Sequence, residues 1–116
     1  MIVDHKLRLR LRWGHNASRD ITVPVEYRKG SYSGRYELYI DGVHIGWVVR
    51  YDGQSARRAY TEWDGFLCAE QNDGVQREVK AATRRDSVDE VLYRLTDHAR
   101  TNVLAARAEA AYADAE

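Results

Sequence analysis

The chain has 116 residues, of which 44% are apolar and 31% charged, and its 18 basic and 18 acidic side chains give a formal net charge of zero. That length suits a single domain with its own core, and the composition is neither that of a disordered chain nor that of a membrane protein. No run approaches the ~18 apolar residues of a membrane-spanning helix, and the balanced total names no strongly charged partner. Cys68 is the single cysteine, so an internal disulfide is excluded and a reducing cytoplasm is the expected compartment. The N-terminal stretch carries alternating charges rather than the apolar core of a signal peptide.

Lys6-Leu7-Arg8-Leu9-Arg10-Leu11-Arg12-Trp13 alternates strictly, which is the period of a strand with one buried face. Leu7, Leu9, Leu11 and Trp13 are expected to face the core, and Lys6, Arg8, Arg10 and Arg12 to face outward. After a loop from Gly14 to Asp20, Ile21, Val23, Val25 and Tyr27 mark the buried face of a second strand. Pro24 cannot donate to a ladder, which predicts an edge or a solvent-facing amide at that point. Residues 29–34 read as a connection.

Asp41-Gly42 lies between two β-rich runs and predicts a two-residue hairpin turn with positive φ at both positions. That turn pairs Ile40 with Val43, Leu38 with Ile45 and Tyr36 with Trp47, all on one face. Glu37, Tyr39, His44, Gly46 and Val48 then share the other face. The segment Asp52-Gly53-Gln54-Ser55-Ala56 reads as a loop. A second hairpin is expected between about Ala59 and Thr83 with its turn at Asn72-Asp73-Gly74. It would place Glu70 opposite Arg77, Cys68 opposite Val79 and Phe66 opposite Ala81, with a bulge near Asp64-Gly65 to accommodate Trp63.

Asp86 or Ser87 can cap a helix, and Ser87-Val88-Asp89-Glu90 has the capping-box pattern. Val88, Val91, Leu92, Leu95 and Ala99 form the stripe that would rest on the sheet. The expected fold is therefore α+β, a mainly antiparallel sheet of about five to six strands packed by one C-terminal helix. It forms a single domain over residues 1–116, with the hairpins in 1–83 and the helix in 86–112.

Residues 1–35 hold eight Lys or Arg against three Asp or Glu. The outward row Lys6, Arg8, Arg10 and Arg12 has the spacing to follow a phosphate backbone or to meet an acidic protein surface. Its alternative is a solvated edge strand on which cations deter sheet-to-sheet pairing. Arg57-Arg58 and Arg84-Arg85 are two further basic pairs that would extend the row if the fold brought them beside it. Asp64 with Glu78-Val79-Lys80 resembles the metal site of restriction-type nucleases, in which carboxylates hold a divalent cation and lysine helps activate water. His5, His15, His44 and His98 have no metal-ligand spacing, and no nucleophile or phosphate-loop motif is present. No catalytic residue, metal or cofactor is therefore assigned.

The stretch 35–98, through Tyr36-Glu37-Leu38-Tyr39-Ile40-Asp41-Gly42 and Ala82-Thr83-Arg84-Arg85-Asp86-Ser87-Val88, resembles small uncharacterised proteins of actinobacteria and their phages. That likeness implies a bacterial cytoplasm, the host's if the gene is a phage's, and no catalytic residues. A three-stranded sheet followed by a helix is also similar in layout to AP2-like and integrase-arm DNA-binding domains. The expected function is a small non-enzymatic binding protein that contacts nucleic acid through its basic strand. The alternatives are a protein-interaction module or host-protein inhibitor acting as a homodimer, and a nuclease built on Asp64, Glu78 and Lys80. No membrane partner is expected.

Overall fold

The computed structural model describes residues 1–10, 18–69 and 77–96. They form β1 (Ile2–Arg10), β2 (Ser18–Lys29), β3 (Arg35–Ile40), β4 (Val43–Ser55), β5 (Arg58–Leu67), β6 (Arg77–Ala81) and α1 (Arg84–Thr96). The strands make one antiparallel meander in the order β1-β2-β3-β4-β5-β6, curled into a half-barrel with α1 against one face. The expected α+β sheet with a single following helix is therefore the observed fold.

Alternation decides which side chains go inward. Val23, Val25 and Tyr27 of β2 are buried, as are Leu38 and Ile40 of β3, while Val3 and Leu7 of β1 lie against this core. Val88, Val91 and Leu92 complete it from the helix, and Leu67 does so from β5. At roughly 1.5–3 kcal/mol for each fully buried Val or Leu, this interior is the main source of stability. Pro24 is accommodated because β2 pairs with β3 through Glu26–Lys29, and among the described residues nothing pairs with the β3-facing side of the strand at Pro24. It is not an edge strand, since β1 pairs along it from Ser18 to Glu26.

The Asp41-Gly42 turn has the expected left-handed backbone, with φ of 51° and 78°. The pairing beyond it differs from the expected one. Ile40 opposes Val43 and Tyr39 opposes His44, but a register shift between Leu38 and Tyr39 then places Leu38 opposite Gly46, Glu37 opposite Trp47 and Tyr36 opposite Val48. Ile45 is the extra residue of this β-bulge, and beyond it the parity of β4 is inverted. Ile45 and Val48 are fully buried, whereas Trp47 emerges on the face away from α1 with Glu37 and Tyr39. Gly46 permits the close approach behind the bulge: a Cβ there would run into the Phe66 carbonyl oxygen.

The second hairpin also departs from expectation. Gly65 opposes Val79, Trp63 opposes Ala81 and Leu67 opposes Arg77, with no shift along the ladder. Trp63 therefore needs no bulge, and Phe66 opposes Glu78 on the face away from the helix rather than Ala81 on the core face. The reason is α1, which lies so close over Gly65 that a Cβ would meet Ser87 Oγ at 2.7 Å and Val91 Cγ2 at 2.8 Å. The expected turn at Asn72-Asp73-Gly74 lies outside the described residues.

The helix starts earlier than its Ser87 pattern suggests. Thr83 Oγ1 accepts from the Asp86 amide at 3.1 Å and the Thr83 carbonyl accepts from the Ser87 amide at 3.0 Å, so Thr83 is the N-cap. Ser87 instead faces the sheet, fully buried, its Oγ without a hydrogen-bond partner among the described residues. Leu95 and Ala99 of the expected stripe fall outside the described side chains. Residues 52–55 of the expected 52–56 loop are strand and Ala56 belongs to the turn: among the described residues, 51–55 and 58–62 pair only with each other across the β4–β5 hairpin, as an arm projecting beyond the partners β3 and β6.

Candidate functional site

The face of the sheet away from α1 carries a row of rings that the bulge assembles. Tyr39 of β3 lies 5.0 Å from His44 of β4 between ring centroids, His44 lies 6.3 Å from Trp47, and Trp47 lies 5.2 Å from Phe66 of β5 at an interplanar angle of 15°. All four rings are partly exposed. Two guanidiniums cover the row: Arg28 Cζ is 3.8 Å from the Tyr39 centroid and Arg35 Cζ is 5.0 Å from that of Trp47. Such cation–π contacts fix the arginines in place and leave each planar group available for stacking.

Carboxylates hold the same arginines from the side. Arg28 donates from Nε and Nη2 to Glu26 at 2.9 and 3.1 Å, and Arg35 donates to Glu37 at 2.9 Å. The Arg28 hydrogen bond holds the Glu26 carboxyl below its usual range, and the bond to Glu37 strengthens the protonation of Arg35. The ring row is therefore framed by neutralised pairs rather than by bare charge. Lys6 stands exposed on this same face of β1, opposite Thr22. Arg8 and Arg10 continue the ladder opposite Asp20 and Ser18, and Arg12 lies outside the described residues.

The other predicted cations are elsewhere. Arg57 is in the two-residue turn at the tip of the arm and Arg58 begins the returning strand, both exposed. Arg84 and Arg85 open α1 on the opposite side of the sheet. Arg85 donates to the Asp4 carbonyl at 2.9 Å and so ties the helix start to β1. Sequence order alone could not distinguish these three locations, because the arm and the helix project from different sides of the meander.

The nuclease-like residues do come together, on the outer face. Asp64 opposes Lys80, and Lys80 Nζ stands 3.7 Å from both Glu62 Oε2 and Glu78 Oε1. Those carboxylates, Glu62 foremost, raise the Lys80 pKa. Among the described residues no group of three His, Cys, Asp or Glu is placed to hold a metal ion.

One constellation escaped the sequence reading. Cys68 Sγ lies 3.5 Å from His44 Nδ1 and 4.0 Å from Nε2, and His44 Nε2 lies 3.8 Å from Glu37 Oε2. Cys68 is also only 5% exposed. A sulfur so buried has little access to a substrate.

No protein-family model matches the chain, and no curated protein and no solved structure was found to be similar to it. No helix among the described residues is long and apolar enough to cross a membrane.

Proposed function

We propose that the protein is a non-enzymatic binding protein that takes single-stranded nucleic acid on the sheet face away from α1. The observation that carries this reading is the row Tyr39, His44, Trp47 and Phe66, with Arg28 and Arg35 over it, on the face that also bears Lys6. Unpaired bases stack on such rings for roughly 1–3 kcal/mol each, with little dependence on sequence. Lys6 of β1 supplies a phosphate contact to one side of the row.

The test is fluorescence anisotropy with labelled single-stranded DNA and RNA over a salt series. Binding is expected to weaken as salt rises, and Trp47→Ala to weaken it roughly tenfold or more at one salt concentration. Binding unchanged in that variant would overturn the reading. A protein partner, or a second copy pairing along β1, is the second reading. It is favoured by Glu26 and Glu37, which already neutralise the two arginines, and by the position of β1 as an outer strand of the sheet. A stoichiometric protein complex together with indifference to nucleic acid would establish it.

A further inference from the structure

On the opposite side of the sheet, a cleft of about 380 Å³ opens between the β2–β3 connection, the base of the arm and the first turn of α1. That volume lies within the range of small-molecule sites, roughly 300–1,000 Å³. Tyr36 and Trp63 line it, with ring centroids 6.3 Å apart and both rings partly exposed. Arg50 and Arg84 reach it from β4 and α1.

The charges do not balance. Arg50 is paired with Asp52 at 3.1 Å, and Asp52 also accepts from Thr61 at 2.8 Å. Arg84 makes no ion pair with any described residue; its guanidinium rests 4.9 Å above Tyr36 and 5.2 Å above Tyr27. It is partly buried, so its charge is only partly screened by water. It also stands in the first turn of a helix, where the dipole disfavours a cation. Rings fix its position, but they do not neutralise it. The cleft thus holds two guanidiniums against one carboxylate.

The far wall is held in place. Gly34 is at φ 86°, and its carbonyl accepts from the Arg50 amide at 2.9 Å. A Cβ on Gly34 would come within 3.2 Å of Arg50 Cβ, so glycine lets the connection lie close on β4 beside the guanidinium. Ser33 places a hydroxyl at the rim.

We infer that this cleft binds a small ligand bearing both a phosphate and a planar ring, of the nucleoside monophosphate class. The phosphate meets Arg84 and Arg50, and the ring lies against Trp63 and Tyr36. The site is on the side of the sheet opposite the ring row and is independent of the function proposed for that face.

The test is a ¹H–¹⁵N titration of the full chain with adenosine monophosphate, inorganic phosphate and adenosine in parallel. The monophosphate should give saturable shifts at Gly34, Arg84 and the Trp63 indole. Phosphate should shift the same backbone signals more weakly, and adenosine should leave the Arg84 signal in place. Arg84→Ala should weaken the monophosphate about tenfold or more, the loss expected for a hydrogen bond to a charged group, while Arg57→Ala should change nothing. Arg50→Gln, at an exposed position, carries the same expectation should Arg84→Ala impair folding. Unsaturable shifts shared with Lys6, Arg57 and Arg58, or saturable binding that survives both Arg84→Ala and Arg50→Gln, would overturn the inference. Shifts confined to Trp47 and Phe66 would overturn it too, while leaving the outer-face reading intact.

Discussion

His5 is a fully buried imidazole on β1, and both of its nitrogens are engaged. Nδ1 is 2.6 Å from Asp89 Oδ1 on α1 and Nε2 is 2.6 Å from the Tyr27 hydroxyl on β2. The trio fastens three elements together through one polar network that runs from the buried Tyr27 hydroxyl to the half-exposed Asp89 carboxylate. Removing His5 leaves the Tyr27 hydroxyl buried without that partner, which costs more than the bond itself, whereas the Asp89 carboxylate is 44% exposed and is open to water. His5→Ala is therefore expected to lower unfolding stability by about 2–4 kcal/mol, measured by urea denaturation. Burial raises the Tyr27 phenol from its ordinary 10 to about 12. Since the folded value is the higher, the contribution is fully present below pH 10 and fades as pH rises from 10 towards 12. Tyr27→Phe should show a shallower loss of stability across that window than the parent chain. Equal slopes for the two proteins would show that the phenol is not the group responsible.

At the scale of the element, Thr83 and Ser87 offer a direct contrast. Both begin a pattern suited to a helix start, but only Thr83 bonds to a helical amide. Thr83→Ala should cost about 1 kcal/mol. Ser87→Ala should be neutral or slightly stabilising, because it removes a buried hydroxyl that has no hydrogen-bond partner among the described residues. Thermal unfolding of the two variants separates the two starts, and the reverse order of effects would place the cap at Ser87. Gly46→Ala and Gly65→Ala should each destabilise by about 3 kcal/mol or more, since backbone in the first case and packed helix side chains in the second stand in the way of a Cβ. The same contacts explain what was legible beforehand. Alternation gave the inward face of β2 and the inward Leu7 of β1, and Asp41-Gly42 gave its turn, because those depend on neighbours in sequence; Leu9, Leu11 and Trp13 of the first strand's expected core face lie outside the described side chains. The bulge at Ile45 and the parity of Phe66 depend on β5 and α1 approaching β4, and nothing local announces that approach. The partners of His5, 22 and 84 residues away, were hidden for the same reason.

Across the whole molecule, the bulge has the largest effect on which side chains each face of the sheet presents. By inverting the parity of β4 it buries Val48 and turns Trp47 outward, so that a ring expected in the core joins Tyr39, His44 and Phe66 on the opposite face. The outward position of Lys6 was legible from alternation, but the ring row on the same face of the sheet was not. The cations at the arm tip and the helix start are separated from that face, so each can be tested by itself. If the ring row is the platform, Arg57→Ala with Arg58→Ala should leave single-strand affinity nearly unchanged, whereas Lys6→Ala should reduce the salt dependence by about one unit of slope in log–log form. The most direct measurement of the central claim is the footprint of a bound single strand on the ¹H–¹⁵N spectrum of the full chain. Perturbations clustered at Tyr39, His44, Trp47, Phe66 and Lys6 are the result this account predicts, and perturbations confined to the arm or to α1, or none at all, would contradict it.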